Sequence, residues 1–148
     1  MSRRTALFAG AIALGFLAIV LGRGGEPSAR VRALEADPMA TYVPPGGTLV
    51  DTDSQNEGTS LGKPVFARYT RMFQLSKSPA RAFQDASGEA KAAGWIQVGN
   101  PDAHVFVADK RAPSGRIELA VTLFEDSRLL PAEVKPPALL VSLRHNGP

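Results

Sequence analysis

Residues 64–95 read PVFARYTRMFQLSKSPARAFQDASGEAKAAGW, and a change of period inside this stretch decides the fold class. Over 64–76 the side chains alternate: Val65, Ala67, Tyr69, Phe73 and Leu75 share one parity, broken only by Arg71. Phe66, Arg68, Thr70, Met72 and Gln74 share the other, so the stretch predicts a strand whose first set faces a core. From Ser78 the spacing becomes helical. Ser78-Pro79 offers a capping hydroxyl and a proline at the first helical position, and Ala82, Phe83, Ala86, Ala90 and Ala93 recur on one face. Gly94 is placed to end this helix in a left-handed conformation before Trp95 opens the next strand.

Downstream, short alternating runs predict strands over 95–98, 103–109, 116–125 and 138–144, with turns at Gly99-Asn100-Pro101-Asp102 and over 110–115. Ile117, Leu119, Val121 and Leu123 form one unbroken inward face, and Leu139, Val141 and Leu143 another. The expected class is α+β: one helix packed on a four- or five-strand antiparallel sheet, in the order β-α-β-β-β-β over 64–148. A ferredoxin-like arrangement needs a second helix, which the proline-interrupted run 126–134 does not offer.

Upstream the texture differs. After the cationic tail 1–4, residues 5–22 read TALFAGAIALGFLAIVLG, 18 residues without a charge. At about 1.5 Å per residue a helix of that length nearly spans a bilayer core, which predicts a transmembrane anchor. A cleaved signal peptide competes, since Arg3 and Arg4 make a positive leading region, but no Ala-x-Ala follows and Arg23 stands directly behind. The arginines on both sides leave the positive-inside rule nearly tied; the short cationic tail favours the plasma membrane with the domain outside the cytoplasm. Gly10 and Gly15, spaced four from Ala6 and Ala11, are candidate helix–helix contacts in lipid, though an alanine-rich composition also produces such pairs. Residues 23–63 read as a juxtamembrane segment and tether. Ser28 can cap a short helix carrying Val31 and Leu34, stopped by Asp37-Pro38. The following stretch, dense in Pro, Gly, Ser and Thr, reads as an extended spacer or a docking peptide with Tyr42 as anchor.

Charge and composition close several functional classes. The chain holds 17 basic and 14 acidic residues, a net of +3. Residues 1–32 hold five arginines against Glu26, so residues 33–148 hold 12 basic and 13 acidic groups. The positive excess flanks the apolar segment rather than the domain, so no nucleic-acid partner is expected. With no cysteine, disulfides, zinc fingers and thiol nucleophiles are excluded; two histidines are too few for a histidine-rich metal cage. No cofactor and no metal are expected. Asp51 to Glu57 opens like a calcium loop, but Asn56 stands where the turn glycine belongs and Gly62 where the bidentate glutamate belongs.

The best catalytic constellation is Ser114 as nucleophile, His104 as base and Asp102 as orienting acid. Asp102 and His104 are two apart at a strand start and Ser114 lies in a turn, so no catalytic residue is assigned. His145 reads as an exposed residue, and Glu118 lacks a visible second carboxylate. One helix covers only one face of such a sheet. Phe66, Met72 and Phe124 fall on the other face, as a partner surface or beneath a folded-back tether.

The motifs Asp37-Pro38-Met39-Ala40, Pro44-Pro45-Gly46 and Ala92-Ala93-Gly94-Trp95, with 12 Arg against 5 Lys, resemble uncharacterised small single-pass envelope proteins of high-GC Gram-positive bacteria. That resemblance implies an envelope location and no mechanism. The functional expectation is a non-enzymatic, membrane-tethered extracytoplasmic binding or scaffolding module with the lipid bilayer and an envelope or membrane protein as partners. The alternatives are a small accessory subunit assembled laterally through its transmembrane helix and, third, a small hydrolase.

Overall fold

A computed structural model describes residues 25–147. Helix α1, Ala29–Glu35, starts where the Ser28 hydroxyl accepts the Val31 N–H at 3.2 Å. It buries Val31 and Leu34 and stops at Asp37, whose carboxylate caps a 3-10 turn over Pro38–Ala40. The chain then turns at Pro44-Pro45-Gly46-Gly47: Gly47 N–H donates to Pro44 O, and Gly46 has φ 69°. Proline at the second position and a left-handed glycine at the third make this a type II turn. It launches strand β1, Gly47–Gln55, followed by β2 (Gly58–Ser60), β3 (Lys63–Val65) and β4 (Arg68–Leu75). Helix α2 spans Pro79–Ala92, and β5 (Ile96–Gln97), β6 (Val105–Ala112), β7 (Gly115–Phe124) and β8 (Ala138–Asn146) complete the order.

Six strands form one sheet in the order β1-β4-β8-β7-β6-β5, antiparallel at every pairing, and β2 pairs only with β3. Four antiparallel steps separate β4 from β5, so these two run the same way, and α2 crosses the sheet face between them. Its C-terminus closes with Gly94 at φ 88°, Gly94 N–H on Lys91 O and Trp95 N–H on Ala90 O, the paired bonds of a Schellman motif. The Ser78 hydroxyl makes no capping bond.

Both helices lie on the same face of the sheet. Val31, Leu34, Met39, Phe83, Ala86 and Ala90 pack there against Phe73, Leu119, Val121, Leu139, Val141 and Leu143. One charged group is drawn into this junction. Asp37, buried, accepts Trp95 Nε1–H at 3.2 Å and Met39 N–H at 2.9 Å on one oxygen, and Lys110 Nζ at 2.8 Å on the other. The Lys110 ammonium also sits 5.5 Å from the Trp95 ring centre. This node ties the segment after α1 to the corner that follows α2.

The opposite face holds a second, smaller cluster. Met72, Phe124, Ala138 and Leu140 pack with Val134 and Leu130 of the connection 126–137. Between this cluster and the far end of the sheet runs a cross-strand row of polar side chains, Gln55, Arg68, Arg144, Glu118 and Asp109.

Strand β1 is an outer edge whose exposed backbone is not left open. Leu75 N–H donates to Pro137 O and Ala67 O accepts from His145 N–H, so odd-numbered residues of β4 bond toward β8 and even ones toward β1. Asp51, Asp53 and Gln55 stand opposite even residues, which puts the N–H groups of Thr52 and Ser54 on the outer edge. The Asp51 and Asp53 carboxylates accept those two N–H groups at 2.9 and 2.8 Å. A bulge between Leu49 and Asp51 further breaks the edge.

These observations correct the expected architecture. The segment 39–64 is no spacer: it contains β1 and a hairpin, and the sheet has six strands rather than four or five. There are two helices on it, not one, because α1 belongs to the same core. The expected transmembrane span 5–22, with Gly10 and Gly15, lies outside the described residues. Among the described residues no helix is long and apolar enough to cross a membrane. The element expected to lift a domain off a bilayer is instead folded into that domain. Among the described residues no element carries the membrane-tethered role, the lateral subunit alternative, the lipid and envelope partners or the single-pass location, and these expectations are corrected on that finding.

Candidate functional site: a projecting hairpin

Strands β1 and β4 pair up to Gln55 opposite Arg68, and the ribbon then continues beyond the sheet as the hairpin β2–β3. Its two-residue turn is Leu61-Gly62, with φ 51° and 74°. Two successive left-handed residues make a type I′ turn, the geometry that matches strand twist and that Asn-Gly adopts most readily. Leucine does not suit the first position: its Cβ crowds the carbonyl, at a cost of ~1–2 kcal/mol. Leu61 is also fully exposed, at 101% relative accessibility. All of β2 is exposed, as is β3 up to Val65. Ser60 and Lys63 flank the turn as its bonded pair, so Pro64 carries its missing N–H on the outer edge of β3, where no ladder bond is lost.

The base of the arm is clamped to the start of α1. Asn56 Oδ1 accepts the Ser28 N–H at 2.8 Å and Asn56 Nδ2 donates to Glu26 O at 3.0 Å. The Ser28 hydroxyl donates to Glu57 Oε2 at 2.6 Å while accepting from Val31 N–H. That hydroxyl holds the Glu57 carboxyl below its ordinary value.

At the root of the arm, half-buried Phe66 lies under the Arg144 guanidinium, 5.7 Å from its ring centre. Arg68 stands directly opposite Arg144, an unfavourable like-charge pair. Arg68 donates to Gln55 Oε1 at 2.8 Å, and Arg144 donates to Glu118 Oε1 at 3.0 Å. Burial holds the Arg68 guanidinium below its ordinary value; Asp53 opposes that shift and the Arg144 charge adds to it. Arg144 Nε is buried without a hydrogen-bond partner among the described residues.

The other sequence candidates separate. Met72 and Phe124 are 2% and 6% exposed, covered by the connection 126–137 and not by residues 39–63, so neither offers a surface. Phe66 alone of that trio stays accessible, at the arm root. Asp102 is spent on the N–H groups of His104 and Val105, and His104 Nε2 lies 2.6 Å from Glu125 Oε2. Ser114 sits at the opposite end of β6 from His104, so no triad assembles. His145, expected to be exposed, is 2% exposed, with Nε2 2.7 Å from Ser114 O. Tyr42 is no free docking anchor: its hydroxyl donates to Asp85 and its carbonyl accepts from Arg71 at 2.7 Å. Burial and the Asp85 carboxylate raise the Tyr42 hydroxyl far above its ordinary value. The calcium-like run 51–57 is consumed by β1 and the clamp, and among the described residues no three or more acidic or histidine groups could hold a metal.

Sequence reading missed Leu61. The signal present was an X-Gly pair between two three-residue runs, weak because leucine is not a turn residue. No family model, no curated protein and no solved structure matches the chain.

Proposed function

We propose that this chain is a non-catalytic recognition domain whose contact element is the β2–β3 arm. The observation that carries the reading is Leu61, a large apolar side chain held fully exposed in a left-handed turn. Folding alone gains nothing from leucine there: asparagine fits the turn better, and water solvates the polar side chain at no cost. A contact that buries the side chain recovers ~1.5–3 kcal/mol, comparable to or larger than the strain. The clamp through Ser28, Asn56 and Glu57 supports the same reading, because it fixes the direction of a two-stranded ribbon that is marginal by itself.

The test places a photo-crosslinking residue at position 61 of the full chain in its native cells. A single discrete adduct is expected, and the purified adduct partner should bind the wild-type chain. Leu61→Asn should weaken that binding by about tenfold or more, the loss of one buried leucine. Leu129→Asn, at another exposed leucine far from the arm, should leave it unchanged. Equal binding by the wild type and Leu61→Asn sinks the proposal.

A further inference from the structure

We infer that two copies of this chain pair antiparallel through β5, joining their six-strand sheets into one and leaving an arm free at each far end. Strand β5 is the outer edge opposite β1, and it lacks the carboxylate caps and the bulge that close β1. Val98 N–H donates to Val107 O and Ile96 stands opposite Asp109, so even-numbered residues here bond inward to β6. The N–H and C=O of Gln97 are therefore turned outward. Residues 95–100 carry no charge and no proline to deter a second strand. Ile96 and Val98, 71% and 37% exposed, lie on the face away from the helices, beside half-buried Val105 and Val107. Four β-branched side chains thus form an open apolar strip along an unfilled ladder.

A second copy fits this edge because the edge complements itself. With Gln97 opposite Gln97, the two residues exchange both N–H···O bonds across a two-fold axis. Ile96 then meets Val98 of the second copy, twice, in the close pairing that suits β-branched side chains. The flanking charges agree. Arg111 lies beyond the Ile96 end of β5 and Asp102 beyond the Val98 end. Arg111 is exposed, and neither residue has an ion pair among the described residues. Antiparallel pairing sets Arg111 of each copy beside the Asp102 end of the other, whereas parallel pairing sets like charge against like. Strand β1 stays closed by Asp51 and Asp53, so association stops at two copies. The dimer carries two arms, and a partner with repeated sites is held by both.

Sedimentation velocity of the full chain over about 1 μM to 1 mM, the dissociation range of small interfaces, tests this. A monomer–dimer equilibrium is expected, with exchange of the Gln97 amide slowing as concentration rises and that of the arm amides unchanged. Gln97→Pro removes an N–H that serves only the second copy and should weaken the dimer about tenfold or more. Ile96→Lys should weaken it as much, and Arg111→Glu about threefold or more. All three positions lie at the edge, so their urea midpoints should match the wild type. Leu61→Asn should leave the dimer intact, which separates this contact from that of the arm. In the Asp51→Ala and Asp53→Ala double variant, with β1 also opened, association should run past two copies. A chain monomeric at the highest concentration, or a dimer that ignores Gln97→Pro and Arg111→Glu, would overturn the pairing.

Discussion

Replacing Asp37 by alanine should cost ~3–5 kcal/mol of stability, most of it through groups that Asp37 leaves behind. Trp95 Nε1–H is buried and loses its acceptor, at ~1–3 kcal/mol. The Met39 N–H loses the bond that caps the 3-10 turn, at ~1 kcal/mol. Lys110 keeps a quarter of its side chain exposed and can turn its ammonium to water, so its loss is nearer ~1 kcal/mol. Asp37→Asn retains one acceptor oxygen and should cost about half as much. Trp95 is the only tryptophan in the chain, so urea unfolding followed by its fluorescence reads the site and the global transition together. A single transition at lower urea, with native emission already shifted to the red, is the expected result for Asp37→Ala. A shift below ~1 kcal/mol, or a first transition that leaves the tryptophan signal unchanged, would refute the claim that residues 28–40 fold as one cooperative unit with the sheet.

Leu61→Asn should raise stability by ~0.5–1 kcal/mol, measured as a higher urea midpoint, because asparagine accepts the left-handed turn. Asp51→Ala combined with Asp53→Ala should uncap the outer N–H groups of β1 and cause concentration-dependent association in sedimentation velocity; a strictly monomeric double variant would remove the guarding role. Val134→Asp should place a charge against Met72 and Phe124 and cost ~2–4 kcal/mol by thermal unfolding. Ser28→Ala should raise the Glu57 titration midpoint toward the ordinary carboxyl range, read by carbon-detected NMR. Because the folded value is depressed, the clamp contributes stability above the ordinary carboxyl value and loses it as pH falls through the folded one, and Ser28→Ala should flatten that acid limb.

What the sequence discloses follows from how each segment is buried. Strands β4, β7 and β8 lie over a core on one side and are partly polar on the other, so the alternation of Phe73 with Met72, or of Leu119 with Ala120, can be read directly. Helix α2 is legible for the same reason, since Ala82, Ala86 and Ala90 form a face. Strand β1 is not. Only Asp53 among its residues is buried, the bulge at Val50 breaks the period, and its polar side chains serve the edge rather than a core. Pro44-Pro45-Gly46 spells a stiff extended segment or a tight turn equally well, and the bond from Gly47 N–H to Pro44 O decides for the turn. The burial of His145 depends on the backbone carbonyl of Ser114, a hairpin turn brought beside it only by the β7–β8 register. At the candidate site, Phe66 was visible as an apolar residue on the second face, whereas Leu61 could be recognised only through its backbone angle.

The position of β8 governs the order in which this domain can be assembled during synthesis. It is the last strand in sequence among the described residues, yet it lies between β4 and β7, near the middle of the sheet. While residues 138–146 are still to be added, β4 and β7 each present an unfilled side to the crowded interior of the cell. The β1–β4 ribbon and the β6–β7 hairpin can form locally as the chain emerges, but they remain two halves without a seam. Folding is therefore postponed to the arrival of one late segment, and termination between β7 and β8 leaves a product with two sticky flanks, suited to capture by chaperones or to clumping.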